Sequence, residues 1–270
     1  MAETGSRGNE GRGRLAVVVG GGAGIGAATC LALASYGWRV AVADINVEAA
    51  KSVAGQCGGD WYPIDIFDAA SIEKAAADIE AKSGKIYGCV CAAAVFQDKK
   101  PPEDTPIEAF DRVIQGNVRG TYLVNVTFAK RMAANGGGAI VNFSSWSGQF
   151  SSPVHGYCSS KAAVNMLTES MAVEWGRSGV RVNAVTPGFV LVDRMVERLR
   201  VGGRYSVDLN SISPLNRIPA PSEMGEAVTF LLSDRASAVT GTNLAADAGV
   251  MAASAWTVYG GIPGPRAQKT

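Results

Sequence analysis

Tyr157 and Lys161, four residues apart in Tyr157-Cys158-Ser159-Ser160-Lys161, are the pair in this 270-residue chain best suited to moving a proton. On a helix that spacing puts both side chains on one face, one turn apart. A phenol alone titrates near ~10, too high for proton transfer at neutral pH. A lysine ammonium beside it favours the phenolate and lowers that value. Ser145, just upstream, could hydrogen-bond a substrate oxygen. The three together form a proton donor and acceptor that needs neither a metal nor a covalent nucleophile. The same spacing is common on solvated helix faces, so the rest of the chain must supply the context.

A second chemical stretch lies at the start. Leu15–Val19 is a short apolar run rich in β-branched residues, followed by Gly-Gly-Gly-Ala-Gly-Ile-Gly from Gly20 to Gly26 and a helical stretch ending at Gly37. Arg39–Asp44 reads as a second strand. A strand, a glycine-rich turn, a helix and a strand form the unit that seats a pyrophosphate on a helix N-terminus. Two registers fit: Gly22-x-Gly24-x-x-Ala27, and the wider Gly20-x-x-x-Gly24-x-Gly26. Asp44 ends the second strand, where a carboxylate accepts hydrogen bonds from ribose hydroxyls and repels the extra phosphate of NADP. Asp44 and Asn46 also suit the N-cap of the helix that follows. Both roles are compatible, and NAD(H) is the expected coenzyme.

The elements that must position these residues alternate along the chain. Strands are expected at Trp61–Ile64, Ile86–Ala93, Ala139–Phe143, Val180–Val185 and Thr242–Ala246. Helices are expected at Val47–Ala54, Ser71–Lys82, Ile107–Ala134 (kinked near Gly116 and Gly120), from about Tyr157 to Trp175, and at Glu223–Leu232. Such alternation implies an α/β fold, a Rossmann-type doubly wound parallel sheet of about seven strands in a single domain, ordered 3-2-1-4-5-6-7. Asp44, Asp65, Ala93, Ser145 and Pro187 then all fall at carboxyl ends of strands, where ligands bind.

Composition narrows the function. The apolar fraction is 47% and the net charge +1, which gives no reason to expect a nucleic-acid or anionic-membrane partner. Residues 1–13 read as a disordered leader, 14–256 as the folded domain and 257–270 as a Gly/Pro-rich tail. No apolar run approaches the ~18 residues of a membrane span. Cys30, Cys57, Cys89, Cys91 and Cys158 lack metal-site spacing, and one histidine adds none; they read as reduced thiols of a cytoplasmic protein, with no metal.

In these features the chain resembles the short-chain dehydrogenase/reductase family from about Arg14 to about Ala252. The matching pieces are the Gly20/Gly24/Gly26 turn, Asp44, Asp65-Ile66, Asn117 in Gln115-Gly116-Asn117-Val118, Ile140-Val141-Asn142-Phe143-Ser144-Ser145, and Tyr157-x-x-x-Lys161. Arg181-Val182-Asn183, Pro187-Gly188, Val239-Thr240-Gly241 and Asp247-Ala248-Gly249 complete the series. The resemblance implies NAD(P)-dependent alcohol oxidation or carbonyl reduction. Tyr157 would be the general acid/base and Ser145 would orient the substrate oxygen. Lys161 would lower the tyrosine pKa and bind the nicotinamide ribose, and Asn117 would support a proton-relay water. It further implies coenzyme contacts at Gly20, Gly22, Gly24, Ile25 and Gly26; at Asp44, Ile45, Asp65 and Ile66; at Ala92, Ala93 and Ala94; at Asn117, Tyr157 and Lys161; and at Pro187, Gly188 and Val190. Departures from the family pattern are Val19 for Thr, Cys91-Ala92-Ala93-Ala94 for Asn-Asn-Ala-Gly, Val192 for Thr, and Ala248 for Gly. A catalytically silent NAD(H)-binding regulator is the alternative, disfavoured by the complete proton-transfer set.

The segment after Gly188, which in this family closes over the substrate, carries Arg194, Arg198, Arg200 and Arg204. Arg194 and Arg198 share a helix face, and a guanidinium fork suits a carboxylate, sulfonate or phosphate. Arginines on a solvated face are the plainer reading. Gln149 and His155 are candidate polar contacts, and Trp146, Phe96 and Phe189 candidate apolar walls. The expected substrate is a small polar secondary alcohol or its ketone, anionic if those arginines face it. The apolar character all round Leu123–Met132 and Ala162–Trp175, with the family habit, implies a homotetramer.

Overall fold

The computed structural model describes residues 9–202 and 205–265. Seven parallel strands form one sheet in the order β3-β2-β1-β4-β5-β6-β7, flanked by helices on both faces. The strands are β1 (Leu15–Val19), β2 (Arg39–Asp44), β3 (Asp60–Pro63), β4 (Ile86–Cys91), β5 (Gly138–Phe143), β6 (Val180–Pro187) and β7 (Asn243–Ala246). The helices are α1 (Gly24–Ser35), α2 (Val47–Cys57), α3 (Ala69–Ser83), α4 (Ile107–Ile114), α5 (Thr121–Ala134), α6 (His155–Gly176), α7 (Asp193–Val201) and α8 (Pro221–Leu232).

β1 is apolar throughout and its neighbours in the middle of the sheet are largely so, because both their faces are covered. Along β1, Val17 and Val19 point into a core built with α3, α5 and α6 residues such as Ile72, Phe128 and Met171. Ala16 and Val18 point the other way, toward Leu33 of α1, Val53 of α2 and Leu231 of α8. The period of two in a strand thus serves two separate cores.

Several motifs prove to be fasteners. Arg181 donates to the carbonyls of Leu231 (2.8 Å), Leu232 (3.4 Å) and Ser233 (3.2 Å), meeting the open carbonyls at the end of α8, and to that of Val239 (3.2 Å) on the way to β7. Asn183 donates to the Val239 carbonyl at 2.9 Å and accepts from the Thr242 amide at 3.1 Å, which fixes the entry to β7. Ala248 stands at φ 55°, a left-handed conformation that costs a residue with a Cβ roughly 1 kcal/mol.

Two expected boundaries move. The first eight residues of the expected leader lie outside the described residues, but residues 9–13 belong to the folded body. The Gly11 and Gly13 amides donate to the Tyr36 and Gly37 carbonyls at 2.8 and 3.0 Å, and Glu10 pairs with Arg235 at 2.9 Å. At the other end, Trp256–Tyr259 forms a short 3-10 helix where the tail was expected to begin. The kink expected near Gly116 and Gly120 is a π-helical turn over Gln115–Gly120 between α4 and α5. Among the described residues no helix is long and apolar enough to cross a membrane, and none of the five cysteines is paired.

Candidate active site

The glycine-rich turn resolves in favour of the wider register. Gly20 has φ 83°, and a Cβ there would stand 2.4 Å from the Ala93 nitrogen, so only glycine lets the end of β1 approach the end of β4. A Cβ on Gly26 would lie 2.0 Å from the Gly20 carbonyl oxygen, so α1 starts directly against the turn. Ala23, at the N-cap of α1, supplies no side-chain cap, and Ala23, Gly24, Ile25 and Gly26 line a cavity. Uncapped helix amides facing a cavity suit an anion. Gly22 is the exception among the expected contacts of this turn. It does not line the cavity, because its amide donates to Asp44 Oδ2 at 2.9 Å and the turn folds beneath that carboxylate. Asp44 Oδ1 accepts from the Asn46 amide at 2.9 Å, while Asn46, not Asp44, caps α2 through the Ala49 amide at 3.1 Å.

The cavity, about 900 Å³, runs along the carboxyl ends of the strands. Asp44, Ile45, Asp65, Ile66, Ala92, Ala93 and Ala94 form one end; Ser145, Tyr157, Lys161, Pro187, Gly188 and Val190 line it further on. The Ala92 and Ala93 amides donate to the Val19 carbonyl at 2.8 and 2.9 Å, so main-chain bonds fix the end of β4 where the Cys91–Ala94 segment has no amide side chains. Val192 lines the wall beside Gly24.

Ser145 and Tyr157 converge because a 3-10 turn, Trp146–Gly148, folds the chain after β5 back onto α6. Ser145 caps it, its hydroxyl accepting from the Ser147 amide at 3.2 Å. Tyr157 and Lys161 lie one turn apart on α6. Lys161, 3% exposed, donates to the Phe143 carbonyl at 2.7 Å, and its Nζ is 5.6 Å from the Tyr157 ring centre. Burial pushes the Tyr157 phenol up to about 12, against opposing pulls from the Ser145 hydrogen bond and the Arg194 charge. Burial pushes the Lys161 ammonium down to about 8. Burial thus drives each group toward its neutral form, and the groups that pull the phenol down are Ser145 and Arg194 rather than the expected Lys161.

Asn117 is fully buried behind the cavity wall. Its Oδ1 accepts from the Val95 amide at 2.7 Å, and its Nδ2 donates to the Val95 carbonyl at 2.9 Å and to Ser160 Oγ at 3.0 Å. The side chain clamps the segment after β4 to α6 and does not line the cavity.

The other expected substrate contacts divide. Trp146, Phe96 and Phe189 line the cavity, as do Arg194 and Arg198. Gln149 and His155 are exposed and do not line it. Arg200 is taken by Glu197 at 2.6 Å, and Arg204 lies outside the described residues. Sequence reading missed Gln97, whose Oε1 accepts the Tyr157 amide at 3.1 Å. It also missed that Phe96 stacks on Tyr157, with ring centres 5.2 Å apart. Both come from the irregular segment after β4, which has no periodicity to read. Among the described residues no group of three His, Cys, Asp or Glu side chains could hold a metal ion.

A doubly wound parallel sheet with a glycine-turn cavity and a Tyr-Lys helix beside it defines a nucleotide-dependent oxidoreductase. The profile of the family described as enoyl-(acyl carrier protein) reductase matches residues 20–251. D-threitol dehydrogenase of Mycolicibacterium smegmatis is 37% identical over 88% of this chain and 92% of its own. The NAD-dependent glycerol dehydrogenase of Listeria innocua is 33% identical over 87% and 93%. The structure of a gluconate 5-dehydrogenase from Burkholderia cenocepacia, in complex with NADP and tartrate, superposes with a TM-score of 0.83 at 29% identity, covering 89% of this chain and 96% of that one. The chain belongs to the short-chain dehydrogenase/reductase family, and it is an oxidoreductase.

Proposed function

We propose that the protein is an NAD(H)-dependent dehydrogenase/reductase that interconverts a small polar secondary alcohol and its ketone. The observation that carries this reading is the single cavity on which the α1 N-terminus, Asp44, Ser145, Tyr157 and Lys161 all open. The coenzyme, when bound, supplies the site that gives or accepts the hydride. The amides opening α1 hold its pyrophosphate, and Asp44 receives ribose hydroxyls. Ser145 orients the substrate oxygen within reach of Tyr157. In ketone reduction, Tyr157 in its neutral form donates the proton to that oxygen; in alcohol oxidation it receives the proton. Lys161, neutral above about 8, stands one turn away as the next proton acceptor. Asn117 holds the wall between β4 and α6, a positioning role. The five free cysteines fit a reducing, cytoplasmic location.

The preference for NAD rests on Asp44. One relative is NAD-dependent by name and one neighbouring structure holds NADP, so family membership leaves the choice open. Both Asp44 carboxylate oxygens are fixed by main-chain amides, and the next two residues, Ile45 and Asn46, are uncharged. A 2′-phosphate brought there would meet an anion with no adjacent cation. The test is turnover of an alcohol and ketone panel followed at 340 nm with both coenzymes. NAD(H) is expected to exceed NADP(H) in kcat/KM by roughly a hundredfold, and Asp44→Ala to narrow the gap. Comparable values in the wild type would refute the coenzyme assignment. Absence of any turnover while NADH still binds would favour the silent regulator.

A further inference from the structure

The substrate end of the cavity is cationic and carries an unmet donor. Lys99, Arg194 and Arg198 line this part of the wall, and Asp193, the first residue of α7, is the acid among them. Arg194 is held in place, its guanidinium carbon 3.4 Å from the centre of the Phe96 ring. Arg198, one turn further along α7, is half-buried at the cavity wall. The α7 acid Glu197 is taken by Arg200 through two hydrogen bonds of 2.8 and 2.6 Å.

The second observation is independent of these charges. Gln97 is 7% exposed and lines the cavity beside Tyr157. Its orientation is fixed, because Oε1 accepts the Tyr157 main-chain amide at 3.1 Å and the reversed amide would set donor against donor. Its Nε2 is buried with no hydrogen-bond partner. Buried donors are paired in almost every folded protein, so one left unpaired on a residue of the cavity wall beside the reacting group points to an acceptor that arrives with the ligand. Trp146, Phe189 and Tyr205 pack in series along the same wall, tilted and then edge-to-face with ring centres 5.3 and 5.5 Å apart, and provide an apolar surface for a carbon skeleton.

We propose that the substrate is a hydroxy acid, or the matching keto acid, whose carboxylate is held by Arg198 and whose carbinol or carbonyl end is steered by a hydrogen bond from Gln97 Nε2. This rests on the oxidoreductase reading above and names its substrate class. The guanidinium offers a paired N–H fork to the two carboxylate oxygens. Gln97 is tied to the tyrosine's own amide, so an acceptor bound to Nε2 is placed in register with the Tyr157 hydroxyl.

The test compares 3-hydroxybutyrate and 4-hydroxycyclohexanecarboxylate with their neutral amides at saturating NAD, in the wild type, Arg198→Ala, Arg198→Lys and Gln97→Met. The wild type is expected to favour acid over amide by about tenfold or more in kcat/KM. Arg198→Ala brings that ratio near one through the KM of the acid, with kcat little changed, and Arg198→Lys restores part of it. Gln97→Met raises KM for acid and amide alike and leaves the KM of NAD unchanged. A wild-type ratio near one, or a ratio untouched by Arg198→Ala, overturns the proposal. So does an effect of Arg198→Ala on the KM of NAD alone, which would place Arg198 against the coenzyme. If neither this panel nor the wider alcohol and ketone panel turns over, the proposed secondary-alcohol chemistry is what fails. Malonate, a carboxylate that cannot react, then decides the subsite by thermal shift with NADH present. A shift in the wild type that Arg198→Ala loses supports the carboxylate site, and an equal or absent shift refutes it.

Discussion

Lys161 shows most plainly how a single residue is tuned by its surroundings. It is 3% exposed, donates to a main-chain carbonyl, and is pushed down to about 8 by burial. Because the folded pKa lies below the ordinary value near 10.4, the unfolded chain binds the proton more tightly. Below about 8 both states hold it, and the folded state carries the whole penalty, on the order of 3 kcal/mol. Stability from this group therefore rises with pH between about 8 and 10.4. Urea unfolding is expected to show Lys161→Met more stable than the wild type at pH 7, with the difference shrinking by pH 10; a constant difference would contradict the assignment. Tyr157 and Lys161 were legible in the sequence because helical spacing alone sets them together. The order of their pKa values was not, since desolvation depends on what covers them. Gln97 had no signal at all: it meets Tyr157 from a loop 60 residues away in the chain.

At the scale of elements, the site depends on how closely the turn after β5 rests on α6. A Cβ on Gly148 would stand 2.7 Å from the Lys161 carbonyl carbon and 2.8 Å from its oxygen, both main-chain atoms of a helix that cannot yield cheaply. Gly148→Ala must push the turn outward and carry Ser145 away from Tyr157. The expected result is a fall in kcat of about tenfold with a loss of about 1–3 kcal/mol in stability, and with NADH affinity kept. Unchanged kcat would show that Ser145 is not positioned by this contact. The strands, their order and the α6 helix follow from periodicity, which the central apolar runs state clearly. The π-helical turn at Gln115–Gly120 was legible only as a kink. Its consequence, Asn117 turned to clamp Val95 and Ser160, needed the register that a π turn imposes.

Across the whole molecule, α5 and α6 leave apolar side chains uncovered. Tyr122 is 47% exposed, Met166 60% and Val173 83%. Such residues on neighbouring helices suit association between copies. A homotetramer is the expected state by light scattering at micromolar concentration, and Val173→Glu should shift it toward smaller species; a monomeric wild type would contradict this. The same whole-molecule geometry, strand ends gathered on one cavity, carries the central claim that Tyr157 transfers the proton beside a bound nicotinamide coenzyme. The most direct measurement is paired turnover and NADH binding in Tyr157→Phe, which removes one hydroxyl and leaves the ring stacked on Phe96. Turnover is expected to fall by about a thousandfold while the NADH Kd stays within about threefold. A variant that keeps most of its activity would contradict the account.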